Sequence, residues 1–176
     1  LDEFGYHRWP EVAPTWGAEV AVAPRAGTNQ QWRTIGALNA VTGQVTYLDG
    51  YIVGRQQVIQ FYRQLAHTYP AADWLYVIQD NWNIHTHPDV LTALARVPRI
   101  NPVWLPTYAP WLNPIEKLWR WLRQDVLKMH RWVEDWPQVK QRVHDFLDQF
   151  AQGSPDLLRY VGLKGKGKLA AVLNTS

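Results

Sequence analysis

The chain has no cysteine among its 176 residues, so neither a disulfide framework nor a thiolate metal site is available to it. No apolar run approaches the ~18 residues of a membrane span. The opening "LDEFGYHRW" lacks the basic-then-apolar layout of a signal peptide. A glycine-rich phosphate loop is also missing: Gly165 and Gly167 merely alternate with lysines in "LKGKGKLAAVLNTS", which reads as a loose, basic, solvated end. His85 and His87 have the spacing of a metal pair on an extended segment, yet no third imidazole lies near them, and they read as a solvated pair at a loop tip. What these absences leave is a soluble intracellular protein.

What is present is a globular composition, 47% hydrophobic and 19% charged, long enough for a single domain with one sizeable core. We read residues 1–152 as that core and 153–176 as a C-terminal tail. The net charge of +3 permits a polyanionic partner without requiring one. Eleven tryptophans are unusual. They serve either as core or as platforms on which bases or sugars stack, and at helical spacing the core reading is the stronger.

Residues 1 to 30 carry Pro10, Pro14 and Pro24 with little periodicity and read mostly as loop. "QWRTIGALNAVTG" and "QVTYLDGYI" predict two strands joined as a hairpin at Thr42-Gly43. From Arg55 to His67, Val58, Ile59, Tyr62, Leu65 and Ala66 recur at helical spacing, and Pro70 ends that region. Trp74 to Ile78 is a continuous apolar run, as expected of a strand buried on both faces, and it leads to Asp80. A short helix after Pro88, a strand in "INPVWLP", a helix in "NPIEKLWRWLRQDV" and a last amphipathic helix from Pro137 to near Gly153 complete a mixed α/β order.

In an open α/β sheet, functional groups gather at the carboxyl ends of strands. Asp80 sits at such an end, and so does Asp2 if "LDEF" closes a strand that begins at or before residue 1. Glu116 lies one strand and one loop beyond Asp80, a path that runs out and returns beside it. Three converging carboxylates repel one another unless cations sit between them. Two magnesium or manganese ions about 3.5–4 Å apart would satisfy them and would promote phosphodiester cleavage. Any chain with 15 acidic residues contains many such triples, so the set alone is weak.

A helical wheel at about 100° per residue sharpens it. Ile115, Leu118, Trp119, Leu122 and Val126 form one apolar stripe, and Glu116, Arg120 and Arg123 share a second face. Those arginines, with Lys117 beside them, are candidates for holding DNA phosphates next to a metal-bound carboxylate. The structural alternative is equally concrete. Asn113, Pro114 and Glu116 fit the N-cap, N1 and N3 places of a capping box, and Glu116 can pair with Arg120 four residues on. Asp80 likewise fits the start of a turn with Asn81.

Two segments carry a resemblance. "YVIQDNWNIH" is an apolar strand ending Asp-Asn with a histidine five residues beyond the aspartate, and "LPTYAPWLNPIEKLW" holds a proline-rich approach to Asn-Pro-x-Glu. With "LDEFGYH" and "TIGALNAVTG", they make nearly the whole chain resemble the catalytic domain of mariner-superfamily insertion-sequence transposases, the DDE superfamily endonuclease domain. The resemblance implies a ribonuclease H-like fold, a mixed five-stranded sheet flanked by helices. It implies metal-dependent cleavage and strand transfer at the ends of a mobile element, with water and then a freed 3′-hydroxyl as nucleophiles. Asp2, Asp80 and Glu116 match the family's three acids, Asn81 and His85 the positions after the second, and Asn113 and Pro114 those before the third.

Partners implied are element-end and target DNA and a second copy of the chain, in the cytoplasm of a prokaryote at the nucleoid. No helix-turn-helix region precedes the matched segments, and only Leu1 stands before Asp2, so a truncated first strand is expected. The alternatives are an inactive remnant that only binds DNA or dimerises, and a glycoside hydrolase built on paired carboxylates and tryptophans. Glu3, on the opposite face of the strand from Asp2, is the weaker ligand.

Overall fold

The computed structural model describes residues 1–12, 27–107 and 109–165. The basic end beyond Gly165 and the prolines Pro14 and Pro24 lie outside them. Five strands and five α-helices run in the order β1 (Asp2–His7), β2 (Gln31–Leu38), β3 (Val45–Gly50), α1 (Arg55–Thr68), β4 (Leu75–Gln79), α2 (Pro88–Ala95), β5 (Ile100–Trp104), α3 (Ile115–Leu122), α4 (Trp136–Asp148) and α5 (Pro155–Val161).

The segment read as loop opens with a strand. Phe4 and Tyr6 are buried and Gly5 and His7 exposed, a period of two that places one face of β1 on the core. The strand therefore does not close at Asp2 but runs on past it to His7. β1, β2 and β3 form an antiparallel sheet in that order, with Asp2 opposite Gly36 and Leu38 opposite Val45. The β2–β3 hairpin turns through Gly43 at φ 74°, a left-handed conformation suited to glycine, and a Cβ there would stand 2.3 Å from the Ser154 carbonyl oxygen.

β4 and β5 pair in parallel through the crossover helix α2. The Leu1 nitrogen donates to the Ile78 carbonyl (2.7 Å), so β1 enters beside β4 and joins the two groups of strands. β4 is not buried on both faces as its composition suggests. Val77 and Gln79 face inward, whereas Tyr76 is 71% exposed and Ile78 is 44% exposed. α1 and α2 lie against the opposite side, while Tyr76 and Ile78 line an open cavity with Leu112, Pro114 and Leu163.

Two apolar clusters flank the sheet. One packs α3, α4 and α5 on Phe4, Tyr6 and Val45, and the other packs α1 and α2 on Ile35, Val77 and Ile100. The α3 stripe is buried as the wheel requires: Ile115, Leu118, Trp119 and Leu122 are all 3% exposed or less, and Val126 continues it through a π-type turn at Arg123–Leu127. α5 occupies the first part of the region that reads as tail. Its Ser154 cap accepts from the Leu157 N–H, Pro155 sits at N1, and Gly162 ends it at φ 86°.

Candidate active site

Asp2 lies on the face of β1 that meets α3. Its Oδ2 accepts a hydrogen bond from Trp119 Nε1 (3.1 Å), and the Trp119 ring stacks on Phe4 at 5.1 Å between centroids. Gly36, across the sheet from Asp2, leaves room for that ring: a Cβ there would approach Trp119 Cη2 to 2.7 Å. Burial pushes the Asp2 carboxyl from 3.8 up to about 7, with the negative charges of Glu116 and Glu3 adding to the effect. Asp2 and Glu116 thus lie close enough to feel each other's charge.

Glu116 projects from the first turn of α3 and is half-buried. The capping box does not form. The helix starts at Ile115 without a side-chain cap, because the buried Asn113 amide turns away and donates to the Leu1 carbonyl (3.0 Å). Asn113 therefore ties the start of α3 to the start of β1. No ion pair joins Glu116 to Arg120 among the described residues, so the Glu116 carboxylate is not committed to either structural role.

The three cations near it differ. Arg120 is exposed. Lys117 Nζ donates to the Val161 carbonyl (2.8 Å), completing the C-terminus of α5. The Arg123 guanidinium lies 4.6 Å from the Phe4 ring centroid, donates to the Gly5 carbonyl (3.2 Å) and pairs with Glu11.

Asp80 follows β4 and is about half-exposed. Gln79 before it is fully buried and accepts from the Tyr62 hydroxyl of α1 (2.6 Å), which fixes the end of the strand. Asp80 Oδ1 accepts from the Trp82 N–H (3.1 Å), closing the expected turn, and Asn81 Nδ2 donates to the Leu105 carbonyl (2.7 Å) beyond β5. Asp80 thus lines a cleft with Trp82, Pro106 and Thr107.

The histidine pair is not a solvated loop tip. A turn from Trp82 folds His85 inward until it is fully buried, edge-on to Trp82 (5.6 Å) and near Trp104 (6.5 Å). His87 instead caps α2, accepting from the Asp89 N–H at Nδ1. His85 Nε2 stands 3.1 Å from Glu3 Oε1 and 3.7 Å from Asp80 Oδ1. The structure thus brings Asp2 near Glu116 on one side of β1, and Asp80 near Glu3 and His85 on the other. Glu3 and His85 escape a reading by spacing because their meeting depends on a turn 80 residues away from β1. Their signal was the "DE" pair itself, which sends one acid to each face.

A divalent cation fits this donor set. The groups are carboxylate oxygens and one imidazole, and Glu3 Oε1 and both ring nitrogens of His85 are buried without a hydrogen-bond partner. Of the tryptophans, Trp119 is buried, and Trp32, Trp121, Trp132 and Trp136 pack against the core, while Trp82 lines the cleft beside Asp80.

Comparison with known proteins agrees with this architecture. Residues 1–140 match the DDE superfamily endonuclease family. An uncharacterized 39 kDa protein of insertion element IS630 from Shigella sonnei is 28% identical over 150 residues, which cover 84% of this chain and 43% of that protein. The chain therefore spans under half the length of that relative. Among solved structures, the Mos1 strand transfer complex superposes with a TM-score of 0.64 over 98% of this chain and 51% of that one. The Mos1 mariner paired-end complex with Mn gives 0.60 over 98% and 53%, and the Mos1 paired-end complex with left transposon end gives 0.59 over 96% and 54%. All three are 16% identical to this chain, so they speak to the fold, which is the ribonuclease H-like one. The family match spans most of the sequence, and the chain belongs to the DDE superfamily endonucleases.

Proposed function

We propose that the chain is the catalytic core of a DNA transposase that hydrolyses and then transfers phosphodiester strands at the ends of a mobile element, with Asp2, Asp80 and Glu116 as its acids. The observation that carries this reading is the Asp2 carboxyl held up to about 7 by burial and by the charge of Glu116 and Glu3. Acids kept close enough to repel, with no basic side chain paired to Glu116 among the described residues, suit divalent magnesium or manganese as their counter-charge. When bound, such ions supply Lewis-acid activation of water and stabilise the leaving oxygen.

The chain's own residues do the positioning. Trp119 holds Asp2 through its indole N–H, Asn113 fixes the start of α3 to β1, and the Tyr62–Gln79 bond steadies the strand that carries Asp80. Arg120 is exposed on the Glu116 helix and free to meet a DNA phosphate, while Lys117 and Arg123 shape the surface beside it. Two copies of the chain would act together on DNA, in the cytoplasm of the host cell at its nucleoid. No described helix is long and apolar enough to cross a membrane.

The test is manganese-dependent nicking of DNA that carries the element's terminal repeats. Glu116→Ala abolishes nicking while leaving the circular dichroism spectrum unchanged. Equal nicking by the variant overturns the assignment. DNA binding without nicking by the unaltered chain points to the remnant reading.

A further inference from the structure

We propose that Glu3, Asp80 and His85 form a divalent-cation site of their own, with one imidazole and two carboxylate donors, on the opposite side of β1 from Asp2. One donor atom from each of the three lies within 4.8 Å of the others. The acids alone would not make a site. What points to a ligand is His85: it is fully buried, it faces both carboxylates, and neither of its ring nitrogens has a hydrogen-bond partner.

The contact between His85 and Glu3 carries the argument. Nε2 and Oε1 are 3.1 Å apart, an ion-pair distance when the imidazole is protonated, yet the alignment of a hydrogen bond is not met and both atoms are left without a hydrogen-bond partner. A donor and acceptor at that separation normally align. Two atoms that bind one ion do not, because each aims its lone pair at the ion and not at the other atom. Ligands about 2.1 Å from a shared ion and at right angles to each other stand about 3.0 Å apart. The 3.1 Å and 3.7 Å separations around Nε2 are close to that spacing.

Burial explains why the arrangement needs an occupant. A carboxylate oxygen and two imidazole nitrogens removed from water without partners each carry a desolvation cost. Trp82 and Trp104 approach His85 with their rings, and neither indole N–H is hydrogen-bonded to it. An imidazole donor favours manganese or zinc over magnesium, which keeps to oxygen ligands. Asp80 is about half-exposed and forms the entry side, so an ion reaches the site from the cleft that Asp80 lines. The site shares Asp80 with the proposed active centre, yet its two other donors have no part in that assignment.

Electron spin echo spectroscopy of the chain loaded with manganese tests it, since a bound imidazole imprints a nitrogen-14 modulation on the echo. The unaltered chain gives that modulation, and His85→Asn removes it. A spectrum without nitrogen coupling, or coupling that survives His85→Asn, overturns the proposal. Glu3→Gln keeps the side-chain volume and guards against a misfolded histidine variant. With an unchanged circular dichroism spectrum it weakens manganese binding by about tenfold or more, and unaltered affinity overturns the site. Glu116→Gln separates this site from the transposase reading: the nitrogen modulation persists there, and its loss means one common ion and no separate site. Nitrogen coupling in a chain that never nicks DNA leaves this site standing while the transposase reading fails.

Discussion

Asp2 on β1 and Asp80 just beyond β4 are held in opposite ways. Asp2 is largely buried beneath Trp119, on the side where α3, α4 and α5 pack tightly on β1. Asp80 stands about half-exposed at the end of a strand whose outer face, Tyr76 and Ile78, is open. The contrast teaches that position on the sheet does not set an acid's chemistry; the packing around it does. Burial raises Asp2 toward neutrality, so it accepts a cation most readily when that cation replaces its proton. Asp80 keeps access to solvent and to the cleft, and relies on a backbone turn and on Gln79 for its place.

The strongest way to break this contrast is to remove the packing over Asp2. Trp119→Ala should destabilise the chain by about 3–5 kcal/mol, because it opens a cavity under Phe4 and strips the indole bond from Asp2. Chemical denaturation measures it. A loss below about 1 kcal/mol would mean that α3 does not hold the site.

A pH titration probes the same acid without mutation. The folded state keeps a proton on Asp2 up to about pH 7, while the unfolded chain releases it near 3.8. Between those values the folded state binds more protons, so metal-free stability falls as pH rises from about 4 to 7, by up to about 4 kcal/mol, and levels off above. Asp2→Asn should flatten that fall. Manganese should restore stability at pH 7 to 8 and add little at pH 4, which a thermal melt series reads directly.

Asn113→Ala should cost about 1 kcal/mol by leaving the Leu1 carbonyl without its buried donor. Its sharper readout is a drop in nicking larger than that loss of stability explains, since Glu116 follows three residues later. The smallest effect belongs to the open side. Tyr76→Thr, on the exposed face of β4, should change stability by less than about 0.5 kcal/mol, against about 2 kcal/mol for Val77→Ala on the buried face. Equal losses at the two positions would show that the outer face is covered in solution.

How much of this was legible in the sequence varies with how local the signal is. The α3 stripe survives intact because five apolar positions on one helical face leave few alternatives. The hairpin at Gly43 is legible for the same local reason. β1 is legible only as the close of a strand in "LDEF" and reads as loop beyond it, because only Phe4 and Tyr6 carry its alternation, and their burial depends on α3 and α4 arriving more than 100 residues later. His85 looks solvated in sequence and is buried in the fold, since Trp104 comes from the next strand. β4 misled in the other direction: an unbroken apolar run does not reveal that one of its faces lines an open cavity. α5 was missed although its signals were present, with Ser154, Pro155 and Asp156 opening it and Gly162 closing it. Seven residues give too short a periodic pattern to stand out beside a glycine-lysine tail.

Gly36 and Trp119 make one further point about descent. The ring that steadies Asp2 occupies the space where any other residue at position 36 would place its Cβ. Neither position can drift alone: a larger residue at 36 evicts the indole, and a smaller one at 119 leaves a void against a bare backbone. Lineages of this domain should therefore inherit the two as a single character, changing both together or neither.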